Sequence, residues 1–218
     1  KIRTIRVCIA PMGDPESRVV LLAGASGFVG SYVLDNALDA PDIGRVYAVS
    51  RRPLGREHPR LANRIVLFDR IEEQLKGLTC HVAFCCLGTT LRQAGSQEAF
   101  RQVDIDVVLA FARAAKAAQA QRFVVVSSAG ANPQSSNFYL RVKGEMEQAL
   151  TEVGFASLDI LQPSFLLGMR REMQPRDLLL SGVMPLVNPF LFGAREQYRA
   201  IHVKTVAAAM IGAMRSGR

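Results

Sequence analysis

The sequence predicts an α/β protein: a doubly wound parallel sheet in three layers, α/β/α, with a small region left over near the carboxyl end. Three observations predict it. Short runs at 19–23, 82–87 and 123–126 are apolar throughout rather than alternating, as in strands buried on both faces. Segments with helical spacing separate these runs. The residues with chemical potential follow strand ends, where open parallel sheets bind ligands.

The elements follow in order. Residues 19–23 form a first strand that runs into Gly24, and 28–38 form a helix. Residues 45–49 and 65–68 read as the second and third strands, and 82–87 as the fourth, stopped by Gly88. Residues 98–118 carry Phe100, Val103, Val107, Val108, Phe111 and Ala115, a helical period. A fifth strand at 123–126 ends in Ser127-Ser128. A helix at 139–153 stops at Gly154, a sixth strand at 157–161 closes with Gln162-Pro163, and a last helix spans 205–214. Right-handed crossovers between parallel strands wind such a series onto both faces.

The whole chain, 1–218, reads as one domain. Residues 1–17 precede the first strand as an N-terminal extension, with Met12 an alternative start. Pro11 and the lack of a long apolar core argue against a signal peptide. About 165–200 is the region free to act as a substrate site or lid. Its apolar stretch 178–194 is broken by Pro185, Asn188 and Pro189, so no transmembrane segment is expected.

Hydrophobic residues make up 49% and charged residues 21%, which excludes a disordered chain. Cys8, Cys80, Cys85 and Cys86 contain no Cys-x-x-Cys pair, and His58, His81 and His202 are scattered. No metal-ligand pattern results, and reduced thiols in a cytoplasmic protein are expected. The net charge of +8 calls for an anionic partner. Arg51, Arg52, Arg56, Arg60, Arg64 and Arg70 are a local excess, but Trp is absent and no aromatics interleave, so no nucleic acid is expected.

Gly24-Ala25-Ser26-Gly27-Phe28-Val29-Gly30 joins the first strand to the first helix. Gly24 suits a tight turn, Gly27 a close backbone approach to a pyrophosphate, and Gly30 close packing of helix on sheet. Free N–H groups and the helix dipole would face the anion. The second strand is followed by Arg51 and Arg52 with no acid. An acid there would hold the ribose hydroxyls of NAD, whereas an arginine pairs with a 2′-phosphate. NADP (NADPH) is therefore the expected cofactor and NAD the less expected one. A solvated loop edge is the plain alternative for both arginines. Asp69, after the third strand, suits either the adenine amine or a helix cap.

Tyr139 and Lys143 stand four apart and share one face of a helix. A lysine ammonium beside a tyrosine favours the phenolate, which suits Tyr139 to proton exchange with a substrate oxygen. The plain alternative is a core-facing ring with a snorkelling lysine. Ser127 or Ser128 could hold the substrate carbonyl.

Together these features resemble the short-chain dehydrogenase/reductase superfamily, in its extended and atypical branches. Phe84-Cys85-Cys86-Leu87-Gly88-Thr89-Thr90 and Ser135-Ser136-Asn137-Phe138-Tyr139-Leu140-Arg141-Val142-Lys143-Gly144-Glu145 closely resemble the Tat-interacting-protein branch of atypical members, over about 19–214. The resemblance implies a Rossmann-type domain, NADP(H) binding and a Ser/Tyr/Lys set at Ser128 or Ser127, Tyr139 and Lys143. It implies that Leu87, Gly88, Thr89 and Thr90 run beside the cofactor and that Pro163 and Ser164 lie near the nicotinamide. Gln162 departs from the Arg-Pro of many relatives. Two functions fit: an NADP(H)-dependent oxidoreductase of an unknown carbonyl or alcohol substrate, or an NADPH-binding regulatory or interaction module. A homodimer or a protein partner is admitted by analogy alone.

Overall fold

In a computed structural model of the protein, residues 2–8, 17–168 and 200–215 are described. The apolar stretch 178–194 and most of the expected lid lie outside them.

Six parallel strands form the sheet that the apolar runs predict. They are β2 (Arg18–Ala23), β3 (Ile43–Ser50), β4 (Leu61–Ile65), β5 (Val82–Cys85), β6 (Arg122–Val126) and β7 (Ser157–Gln162). A further strand, β1 (Arg3–Cys8), joins antiparallel to β7, with Arg3 opposite Gln162 and Ile5 opposite Ile160. The order is β1-β7-β6-β5-β2-β3-β4. The strand order reverses between β2 and β5, the place at whose carboxyl ends open parallel sheets bind ligands.

Helices cover both faces. α1 (Phe28–Asp39) and the last helix, α7 (Val203–Arg215), bury Val33, Leu38, Val206 and Met210 on one side. On the other lie α2 (Ile71–Gln74), α3 (Leu91–Ala94), α4 (Gln97–Arg101), a π-helical segment (Gln102–Val107), α5 (Val108–Ala117) and α6 (Phe138–Glu152). Phe100, Phe111, Phe123, Met146 and Leu150 are fully buried there. Each such side chain contributes roughly 2–3 kcal/mol of burial, so both layers hold the sheet firmly. A short parallel pair, β8 (Leu166–Leu167) with β9 (Ile201–His202), lies apart from the main sheet.

Four expectations need adjustment. The third strand is Leu61–Ile65, not 65–68, and Phe68–Arg70 is a 3-10 turn. As an edge strand β4 shows mostly exposed or half-buried side chains, so an apolar run did not mark it. The fourth strand ends at Cys85 rather than 87. The long helix at 98–118 contains the π-helical segment. Residues 3–8, expected to belong to an N-terminal extension, form edge strand β1. They carry Arg3 and Arg6 among Thr4, Ile5 and Val7, charges that an edge strand tolerates.

Candidate active site at the carboxyl ends of the strands

The glycine loop takes the conformation its residues allow. Gly24 turns at φ +83, and a β-carbon there would strike the Cys86 carbonyl. A β-carbon on Gly30 would strike the Gly24 carbonyl, so α1 can lie this close to the turn only with glycine at 30. Gly27 N–H donates to Gly24 O at 2.9 Å. Gly27 is also the cap of α1, offers no side-chain cap bond, and is followed by a first turn without acid. The positive end of α1 thus faces outward without a carboxylate to compete for it. Ala25 and Val29 anchor the loop in the core, Ser26 is exposed, and Phe28 packs partly buried. These features fit a dinucleotide pyrophosphate.

Beside this loop, β3 ends at buried Ser50. Its hydroxyl donates to Arg52 O at 2.7 Å and accepts from Asn63 Nδ2 at 2.8 Å. The bend leaves Arg51 and Arg52 exposed, and among the described residues neither forms an ion pair. Their neighbours in the basic stretch have structural work. Arg56 pairs with Asp35. Arg60 donates to Leu38 O, Ala40 O (2.8 Å) and Ile43 O (2.6 Å), closing the end of α1. Arg45 and Arg64 lie over the Tyr47 ring. Asp69 is exposed in the 3-10 turn, and α2 starts without a side-chain cap, so Asp69 does not act as the cap.

At the end of β5, Cys86 N–H donates to Ala23 O at 2.9 Å, which ties Leu87, Gly88 and Thr89 beside the glycine loop. Thr90 is the N-cap of α3, its hydroxyl accepting from Gln93 N–H at 3.2 Å. The residue that the sequence reading missed is Asp104. It is 0% exposed, accepts from Thr89 N–H through Oδ2 at 2.9 Å, and places Oδ1 2.6 Å from Lys143 Nζ. A β-carbon on Gly88 would lie 3.4 Å from Asp104 Oδ1 and 3.6 Å from Lys143 Nζ, so the loop is packed against the pair. The signal was present: Asp104 stands four residues after Phe100 and four before Val108, a lone acid on the apolar stripe.

α6 starts at Phe138, capped by the Asn137 side chain, which accepts from Leu140 N–H at 3.2 Å. It carries Tyr139, Lys143 and Glu147 along one face. The half-buried Tyr139 ring packs on Phe100 at 5.7 Å between centroids. Lys143 is buried. Burial works to lower its pKa, but the charge and hydrogen bond of Asp104, with charge from Tyr139 and Cys85, hold it above the ordinary value. Burial pushes the Glu147 carboxyl up, against hydrogen bonds from Ser127 and Gln162 and the charges of Lys143 and Arg3. Gln162 Nε2 reaches both Glu147 oxygens at 2.9 Å, so the uncharged residue at 162 still satisfies this acid.

The two serines differ. Ser127 is buried against Glu147, while Ser128 is partly exposed at the mouth of the strand end. Pro163 is buried, its carbonyl accepting from Ala129 N–H at 2.9 Å, and Ser164 follows half-buried. The loops after β2 and β5 thus lie side by side, with the buried Asp104–Lys143 pair packed behind Gly88 and Tyr139 one turn away on the helix that carries Lys143. Asp69 lies towards the far edge of the sheet, after β4. Cys80 and Cys85 are buried free thiols, each pushed up to about 12 by burial, which makes them poor nucleophiles.

This fold and loop define a dinucleotide-binding protein of the Rossmann type. The match to an NAD(P)H-binding family covers residues 24–167. The chain belongs to that NAD(P)H-binding family, among the atypical short-chain dehydrogenase/reductases. It is 38% identical over 168 residues to Protein HTATIP2 of Rattus norvegicus, covering 75% of this chain and 69% of that protein. It is 32% identical over 201 residues to the mitochondrial protein fmp52 of Aspergillus fumigatus, covering 89% and 86%. In fold it is similar to UDP-N-acetylglucosamine 4-epimerase from Methanobrevibacter ruminantium, with a TM-score of 0.69 at 20% identity, covering 94% of this chain and 75% of that one. Among the described residues no helix is long and apolar enough to cross a membrane.

Proposed function

We propose that the protein is an NADP(H)-dependent oxidoreductase acting on a small carbonyl or alcohol substrate. The observation that carries this reading is the pairing of two features at neighbouring strand ends: an acid-free helix start at Gly27 and the exposed Arg51 and Arg52 after β3. The main-chain N–H groups around Gly27 would hold the pyrophosphate, and Arg51, with Arg52, the 2′-phosphate. When bound, the nicotinamide supplies or accepts the hydride at the substrate carbon.

The rest falls to this chain's own groups. Ser128 is the better placed serine to donate to the substrate oxygen, because Ser127 is buried while Ser128 is half-exposed at the strand end. Tyr139 gives the proton to that oxygen in reduction and takes it in oxidation. Lys143 supports Tyr139 and reaches the ribose side of the site. Gly88, Thr89, Pro163 and Ser164 line the same crevice.

Tyr139→Phe tests this assignment. Turnover across a panel of aldehydes and ketones with NADPH is expected to fall about 100-fold or more while NADPH affinity stays the same. Unchanged turnover would remove Tyr139 from the mechanism. Tight NADPH binding with no turnover in the native protein would favour the regulatory or interaction reading instead.

A further inference from the structure

The geometry points to Asp104 as a positioning residue whose carboxylate locks the Lys143 ammonium against the Gly88–Thr89 turn, setting lysine charge and cofactor loop as one unit. This rests on the reading of Tyr139 and Lys143 as the acid–base pair and adds to it a group that reading does not contain.

Three observations support it. The two oxygens of Asp104 are divided between the two jobs: Oδ1 faces Lys143 Nζ at 2.6 Å and Oδ2 accepts from Thr89 N–H at 2.9 Å. Asp104 sits in a π-helical segment between two α-helical stretches, and such wide turns gather at functional sites. Its partner is a lysine, which unlike arginine gives up its proton readily when buried.

The groups facing Lys143 show why the acid matters. Tyr139 and Glu147 face it from its own helix, Cys85 from β5 and Asp104 from the π-helical segment. The Cys85 thiol, pushed up to about 12, is uncharged at neutral pH. Glu147 is biased towards its protonated form by burial. Tyr139 is negative only as the phenolate. Among the described residues, Asp104 is the acid in direct contact with the ammonium, 2.6 Å from Nζ. The lysine therefore stays an ammonium whether Tyr139 has lost or regained its proton.

The test follows the Lys143 Nζ nitrogen by NMR against pH. The chain has five lysines, and Lys143→Met identifies the signal. In the native protein Lys143 is expected to keep its proton past about pH 10.4, the ordinary lysine value. Asp104→Asn keeps an acceptor for Thr89 N–H but no charge. It should hold NADPH within about threefold of the native affinity while the Lys143 inflection moves down by about one unit or more. Asp104→Ala should show the same move and also weaken NADPH about tenfold, because the turn loses its tether. An unmoved Lys143 inflection in Asp104→Asn would overturn the proposal, and that variant decides alone if Asp104→Ala does not fold. A native NADPH affinity in a folded Asp104→Ala would overturn the tethering half. Unweakened NADPH binding by Lys143→Met would contradict the underlying reading of the site, a separate failure from either of these.

Discussion

Two buried aspartates sit at opposite ends of the sheet, and they are built differently. At the amino ends of β6 and β7, Asp159 is fully buried with Arg122 at 3.5 Å and with Arg6 from β1. Ser157 lies beside it, and Arg122 also donates to Ala213 O at the end of α7. At the carboxyl end, Asp104 is equally buried but holds a lysine, one main-chain N–H and the edge of a loop. Arginine does not lose its proton in proteins and donates through a rigid fork, so the Asp159 cluster is a permanent clamp between β1, β6, β7 and α7. Lysine carries a charge that its surroundings can remove. The same acid thus holds a permanently charged arginine at one end and, at the other, a lysine whose charge depends on its surroundings.

The largest expected effect is on the clamp. Asp159→Ala leaves Arg122 buried without its carboxylate and should cost about 3–5 kcal/mol in urea unfolding. NADPH affinity of the folded protein should not change. A loss of affinity matching that of the carboxyl-end variants would break the comparison. Next, changing both Arg51 and Arg52 to Ala should weaken NADPH about tenfold or more and leave NADH unchanged, as read by cofactor fluorescence. Unfolding free energy should stay native, since both side chains are exposed.

Alkali should separate the two ends. Lys143 has a raised pKa in the folded protein, so its contribution is complete below the unfolded value, about pH 10.4, and is lost as pH rises through the folded value. Stability measured between pH 9 and 12 should therefore fall more steeply in the native protein than in Asp104→Asn. The Arg122 clamp adds no slope in that range. A smaller effect is expected from Arg6→Ala, no more than about 1 kcal/mol, because the side chain is 38% exposed and solvent screens its ion pair. The smallest concerns Glu147, whose raised pKa favours folding below the unfolded carboxyl value and loses that advantage as pH rises through the folded one. Native stability relative to Glu147→Gln should thus improve as pH falls from 7 towards 4.

What could be read in the sequence follows from local chemistry. Ala23, Val82, Phe84 and Val124 belong to strands buried on both faces, and an uninterrupted apolar run reports that directly. Gly24 and Gly30 could be read because steric demand excludes other residues there. β1 and β4 were harder because edge strands answer to pairing partners distant in the chain: Arg3 meets Gln162, and Leu61 meets Val46. Asp104 and Glu147 were missed for the same reason. Each acid becomes tolerable only through a partner brought by folding, Lys143 for one and Gln162 for the other. The serines could not be separated in sequence, since only their burial in the folded chain, Ser127 inside and Ser128 half-exposed, distinguishes them. The charge of +8 also changes meaning, because Arg56, Arg60 and Arg122 are committed to structure, and the expected role in anion binding falls on Arg51 and Arg52.

The most direct test of the carboxyl-end site is a parallel fluorescence titration of the native protein with NADPH and NADH. The account predicts tighter binding of NADPH by about tenfold or more, with the preference lost when Arg51 and Arg52 are both replaced by Ala. Tighter binding of NADH by the native protein would contradict it.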